Sequence, residues 1–95
     1  MPSDQNQHKN ELIRYRRRVG LSRKQVARIL GHRTPSMLSR YERGISLPPL
    51  VTALKLEILY RVPVAFLYVE FYRQLKVDVL SAERQRPSGT QQVLF

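Results

Sequence analysis

The sequence predicts an all-α domain of five helices organised around a helix-turn-helix, and three observations predict it. Residues 21–44 (LSRKQVARILGHRTPSMLSRYERG) carry two complete sets of helix start and stop signals separated by a tight turn. The flanking segments repeat apolar residues at spacings of three and four, the period of a one-sided helix. The net charge of +10 is unevenly placed. Residues 1–61 hold thirteen basic and four acidic side chains, leaving +9, whereas residues 62–95 hold four and three, leaving +1. Charge gathered on one part of a small domain is the footprint of a polyanion binder, although net charge can also serve only solubility.

Each element follows from its own residues. Residues 1–7 are polar and expected to be a flexible tail. From Gln7 or Asn10 to Val19, apolar residues at Leu12, Tyr15 and Val19 give a helix with one buried side, closed by Gly20. Arg14, Arg17 and Arg18 face outward, but Arg16 falls toward the buried stripe and needs a carboxylate, for which Glu42 is the candidate. In the first motif helix Ser22 is the N-cap and Gln25 completes a capping box. Val26, Ala27, Ile29 and Leu30 form its apolar face, and Gly31 stops it. The second motif helix takes Thr34 as N-cap and Pro35 as its first residue, buries Leu38 and Tyr41, and ends at Gly44.

The connector ISLPPL leads to a fourth helix over residues 50–60, with Pro49 in its first turn. Leu50, Ala53, Leu54, Leu56 and Leu59 supply its apolar positions, and Glu57 is the polar interruption. Pro63 breaks it and opens a fifth helix expected to run on to Arg84. Leu67, Phe71, Leu75, Val79 and Ala82 mark one stripe on that helix, while Tyr68, Tyr72, Val77 and Leu80 lie off it. This surplus of apolar surface implies a partner subunit, with Phe71, Leu75 and Val79 as the expected dimer interface. The domain organisation is therefore a DNA-binding unit over 8–69, a helical extension over 70–85 and a disordered tail over 86–95.

Composition excludes several classes. With no cysteine there is no disulfide framework and no thiolate zinc site, and His8 and His32 lie far apart, so no metal is expected. No apolar run reaches the length of a membrane span and no signal peptide opens the chain, so a cytoplasmic, nucleoid-associated protein without membrane contact is expected. His32 sits in a turn between basic residues, Ser36 and Ser39 lack a histidine–carboxylate relay, and no glycine-rich phosphate loop occurs. An enzyme is rejected, and neither a cofactor nor a small-molecule ligand is expected.

Residues 12–67 resemble the lambda-repressor-like helix-turn-helix family of Cro, phage repressors and XRE-type regulators. The likeness lies in LSRKQVARILG, in SRYERG at the matching distance, and in LPPLVTALKLEILYRVPVAFLY, where the family has its fourth and fifth helices. The resemblance implies a five-helix, usually dimeric DNA-binding domain that represses or activates transcription. It also implies an ion pair between Arg16 and Glu42, and a phosphate contact at Arg23. The sequence departs from the family pattern at three points: the turn GHRTPS is one residue longer, Pro35 stands where a base-reading side chain is common, and Glu57 replaces a small buried alanine.

In such a motif the second helix enters the major groove. That places Ser36, Met37 and Arg40 at base edges, with Arg40 suited to guanine O6 and N7. Arg23, Lys24, Arg33, Thr34 and Arg43 flank it as expected phosphate contacts. The expected function is a sequence-specific, double-stranded-DNA-binding transcriptional regulator, dimeric on a palindromic operator, with its recognition helix over residues 35–43. The alternative is an antitoxin-like interaction module that binds a protein partner through the C-terminal helix and DNA through the motif. Single-stranded RNA recognition has little support, because no sheet with stacked aromatics is expected.

Overall fold

The computed structural model describes residues 8–85, which form six α-helices and no strand. These are α1 (Leu12–Arg18), α2 (Arg23–Leu30), α3 (Ser36–Glu42), α4 (Leu50–Tyr60), α5 (Val64–Leu67) and α6 (Val69–Arg84). The expected tails over 1–7 and 86–95 lie outside the described residues.

Residues 8–11, ahead of α1, are not helical, which corrects the expected helix start at Gln7 or Asn10. His8 N–H donates to Gly44 O at 2.7 Å and Glu11 N–H to Leu67 O at 2.8 Å. Asn10 Nδ2 donates to Tyr41 O at 3.0 Å, and Asn10 Oδ1 accepts from Leu12 N–H at 3.0 Å. This strap satisfies carbonyls at the ends of α3 and α5 that have no partner within their own helices. Winding residues 8–11 into a helix would forfeit those bonds. Gly44 is held at φ +78°, and a Cβ there would lie 2.7 Å from His8 O, so the strap and the glycine require each other.

Ser22 and Gln25 form the capping box at the start of α2. At its end Gly31 adopts φ 87°, His32 N–H reaches Ala27 O at 2.8 Å, and Gly31 N–H reaches Arg28 O at 3.0 Å. These two bonds are the Schellman arrangement. The start of α3 differs from expectation. Pro35 occupies the cap position itself, and Thr34 Oγ1 accepts from Ser36 N–H at 3.3 Å. Proline has no side-chain acceptor, so the threonine hydroxyl meets an orphan N–H from one residue farther out.

Likewise Pro49 occupies the cap position of α4 rather than its first turn. This helix ends on Arg61, at φ 61° and ψ 39°, and Pro63 then forbids its continuation. Glu57, only a polar interruption in the sequence, turns back to the next helix: its Oε1 accepts Val64 N–H at 3.0 Å. A carboxylate at a helix start meets both an unpaired donor and the positive end of the dipole. Glu57→Ala is expected to lower stability by about 1 kcal/mol, the usual worth of an N-terminal cap. Urea titration checks this, and an unchanged midpoint would dismiss the cap.

The single fifth helix expected from Pro63 to Arg84 is instead two. Tyr68 leaves the helical region at φ −128° and ψ 55° between α5 and α6. In an unbroken helix Leu67 and Tyr68 would point about 100° apart; the break lets both be buried. The core gathers Leu12, Val26, Leu30, Leu38, Tyr41, Leu56, Tyr60, Leu67 and Tyr68. Burial, aided by neighbouring Tyr41, pushes the Tyr68 hydroxyl up to about 12. Burial and then the Glu42 carboxylate raise Tyr60 further, with Arg16 opposing, so both phenols stay neutral. Three residues of the expected apolar positions of α2 and α4 lie at the surface: Ile29 is 54%, Leu50 72% and Leu54 46% exposed.

Candidate nucleic-acid interface

Helix α3 is short, and it is fixed from the inside. Leu38 and Tyr41 enter the core, while the Glu42 side chain is only 1% exposed. Glu42 Oε2 accepts Arg16 Nε at 2.6 Å, and Oε1 accepts Arg23 Nε at 2.7 Å and Arg16 Nη2 at 3.4 Å. Arg16 Nη1 also donates to Leu21 O at 3.1 Å. One carboxylate thus ties together α1, the α1–α2 connection, the first residue of α2 and the last turn of α3. Charge-assisted bonds of this kind are the strong ones, and here they fix the angle between the two motif helices.

Arg23 has more than the role its position suggests. Its Nε is committed to Glu42, yet the side chain is 47% exposed at the N-terminus of α2. Glu42 therefore carries one negative charge against two arginines, and the excess positive charge lies toward solvent on the Arg23 side. Sequence reasoning missed this second bond, because an exposed arginine 19 residues from its partner leaves no local signal.

The outer side of α3 is open. Ser36, Arg40 and Arg43 follow one another at spacings of four and three, so they line one face, and all three are exposed. Met37 lies beside them and is also exposed. Thr34 Oγ1 donates to Ser36 Oγ at 3.1 Å, which places two hydroxyls together at the entry to the helix. Arg40 Nε donates to Ser46 Oγ at 3.1 Å in the loop after α3. Ser46 gave no sequence signal. Lys24 on α2 and Arg33 in the turn are exposed on the elements that flank this face.

The arrangement suits polyanion binding: a rigid helix with a polar, basic outer face, bordered by further cations and backed by an apolar core. Among the described residues no group of His, Cys, Asp or Glu is placed to hold a metal ion, and no helix is long and apolar enough to cross a membrane. Comparison with curated proteins and with solved structures gives no match. Comparison with family models gives one described as helix-turn-helix, which covers residues 12–67. That span runs from the first residue of α1 to the last of α5 and includes the Glu42 network and the whole of α3. The chain therefore belongs to the Cro/repressor and XRE type of helix-turn-helix family, a family of DNA-binding regulators with the lambda-repressor-like fold.

Proposed function

We propose that this chain is a sequence-specific transcriptional regulator that binds a palindromic operator as a homodimer, with α3 in the major groove. The observation that carries this reading is the exposed row Ser36–Arg40–Arg43 on a helix whose opposite side is locked by Leu38, Tyr41 and Glu42. Base contacts are assigned to Ser36, Met37 and Arg40. Backbone contacts are assigned to Arg23, Lys24, Arg33, Thr34 and Arg43, with Arg23 held toward the phosphate by its bond to Glu42. Phosphate contacts set register and orientation, whereas base-edge contacts carry sequence. No step of this function needs a catalytic group or a cofactor.

The test is selection of genomic duplex fragments by the full chain at about 0.15 M salt, followed by footprinting. A discrete site bound on the order of 10³-fold or more tighter than bulk DNA is expected. Two half-sites about one helical turn apart are expected within it. Binding that is equal for every sequence and lost steeply with salt would replace this reading with a general DNA anchor.

A further inference from the structure

Helix α1 (LIRYRRR) packs four arginines and no carboxylate into seven residues. By contrast, α6 balances three basic side chains against three acidic ones. Glu42 accounts for Arg16, but Arg14, Arg17 and Arg18 take no part in the interface described above. They follow at spacings of three and four, so they line one face, and all three are exposed. Arg14, its side chain 71% exposed, meets only Glu11 at 3.8 Å. Arg17 and Arg18 have no ion-pair partner among the described residues. Cations in the last turn of a helix favour its dipole, which gives Arg17 and Arg18 a structural reason. Arg14 lies in the first turn, where the dipole disfavours a cation, so helix stability does not explain the row.

Tyr15 holds the row in shape. Its ring packs against the core, and Arg14 Cζ lies 5.5 Å and Arg18 Cζ 6.0 Å from its centroid. Two guanidinium groups resting on one fixed ring lose less freedom on binding than two free ones.

We infer that this row is a second polyanion-binding surface, which takes the phosphate backbone of a DNA duplex other than the one α3 reads, so that the protein bridges two duplexes. Direction supports a separate duplex. At 100° per residue, Arg14 and Arg18 each point about 160° away from Arg16. Arg16 faces Glu42 and Leu21, so the row looks away from the motif helices. Chemistry supports phosphate over an acidic protein. A protein partner needs an apolar centre inside its polar rim, and none of the exposed large apolar side chains lies on α1. Phosphates need only cations. Spacing agrees: Arg14 and Arg18 are about 6 Å apart along the helix. A duplex strand carries one charge per roughly 3.4 Å of axis, so the row spans a run of successive phosphates rather than one anion.

The experiment immobilises the duplex recovered by the fragment selection, saturates it with the full chain, and adds a labelled random-sequence duplex at about 0.15 M salt. The wild type is expected to capture the second duplex. The Arg14→Gln/Arg17→Gln/Arg18→Gln chain should hold the immobilised duplex within about threefold of wild type, because charges facing away from it are screened. Its capture of the second duplex should fall by roughly tenfold or more, and the salt slope of capture by about three, near one per lost phosphate contact. All three side chains are exposed, so its circular dichroism should match wild type. Arg14→Gln alone, which leaves the last-turn cations in place, should give a smaller fall of the same kind. Four results each overturn the proposal. Absence of capture by the wild type, or equal capture by the triple variant, removes the surface. Weaker holding of the immobilised duplex would assign the row to that same duplex. Capture of poly-glutamate in preference to duplex would assign it to an acidic protein. If the selection finds no discrete site, a random duplex replaces the immobilised one. Bridging lost only in the triple variant then keeps the second surface while the operator reading falls.

Discussion

Glu42→Ala is expected to destabilise the fold by about 3–5 kcal/mol, the cost of breaking a buried ion pair from one side. The carboxylate is nearly inaccessible and accepts from two arginines, one of which, Arg16, has a side chain only 9% exposed. Without Glu42 the Arg16 guanidinium keeps just the Leu21 carbonyl among its bonds to the described residues, and stays too deep to be well hydrated. A small domain has roughly 5–15 kcal/mol of stability in total, so the variant should be partly unfolded near room temperature. Glu42→Gln keeps an acceptor oxygen and the side-chain volume but loses the charge, and should fall between. Arg23→Ala should cost no more than about 1 kcal/mol, because its half-exposed side chain is screened by solvent. Denaturant titration followed by far-UV circular dichroism measures all three. Equal effects for Glu42→Ala and Arg23→Ala would overturn the account in which the buried Arg16, rather than the half-exposed Arg23, carries the cost of losing the carboxylate.

The parts of this fold that were legible in the sequence are those whose cause is local. Ser22 and Gln25 sit three residues apart and bond each other's backbone, so four consecutive letters contain the whole capping box. Arg16 and Glu42 are 26 residues apart, yet their pairing follows from position. An arginine on the apolar stripe of α1 needs a carboxylate, and few are present. The strap before α1 left no such trace, because its bonds run to backbone carbonyls of Tyr41, Gly44 and Leu67, which any residue would supply. The break at Tyr68 was equally hidden. Its flanking residues keep a continuous helical pattern, and only the competition of Leu67 and Tyr68 for the same core disrupts it. For α4 the failure is one of symmetry: a helix apolar on all sides does not say which side faces inward, so Leu50 and Leu54 read the same as Leu56, and of the three only Leu56 enters the core. The candidate site was legible as a row of residues on α3. The two contacts that orient its neighbours, Arg23 to Glu42 and Arg40 to Ser46, were not.

Arg40→Ala is expected to weaken binding to the best operator by roughly 5- to 150-fold, the worth of one bidentate base contact. Binding to random duplex should change little. The argument rests on which nitrogen is already engaged. Arg40 bonds Ser46 through Nε, which leaves the Nη1 and Nη2 groups to form the fork that matches guanine O6 and N7. A side chain held at Nε also loses less rotational freedom on binding than a free one. Arg40→Lys keeps the charge but not the fork, so it should keep affinity for bulk DNA while losing preference at one base position. If Arg40 instead meets a phosphate, Arg40→Ala will weaken all sequences alike and reduce the salt slope by about one. Binding measured on the selected site and on single-base variants of it, at two salt concentrations, separates these outcomes. Ser46→Ala then tests the support for the fork: a smaller loss confined to the same base position is expected, because the arginine remains but is no longer held.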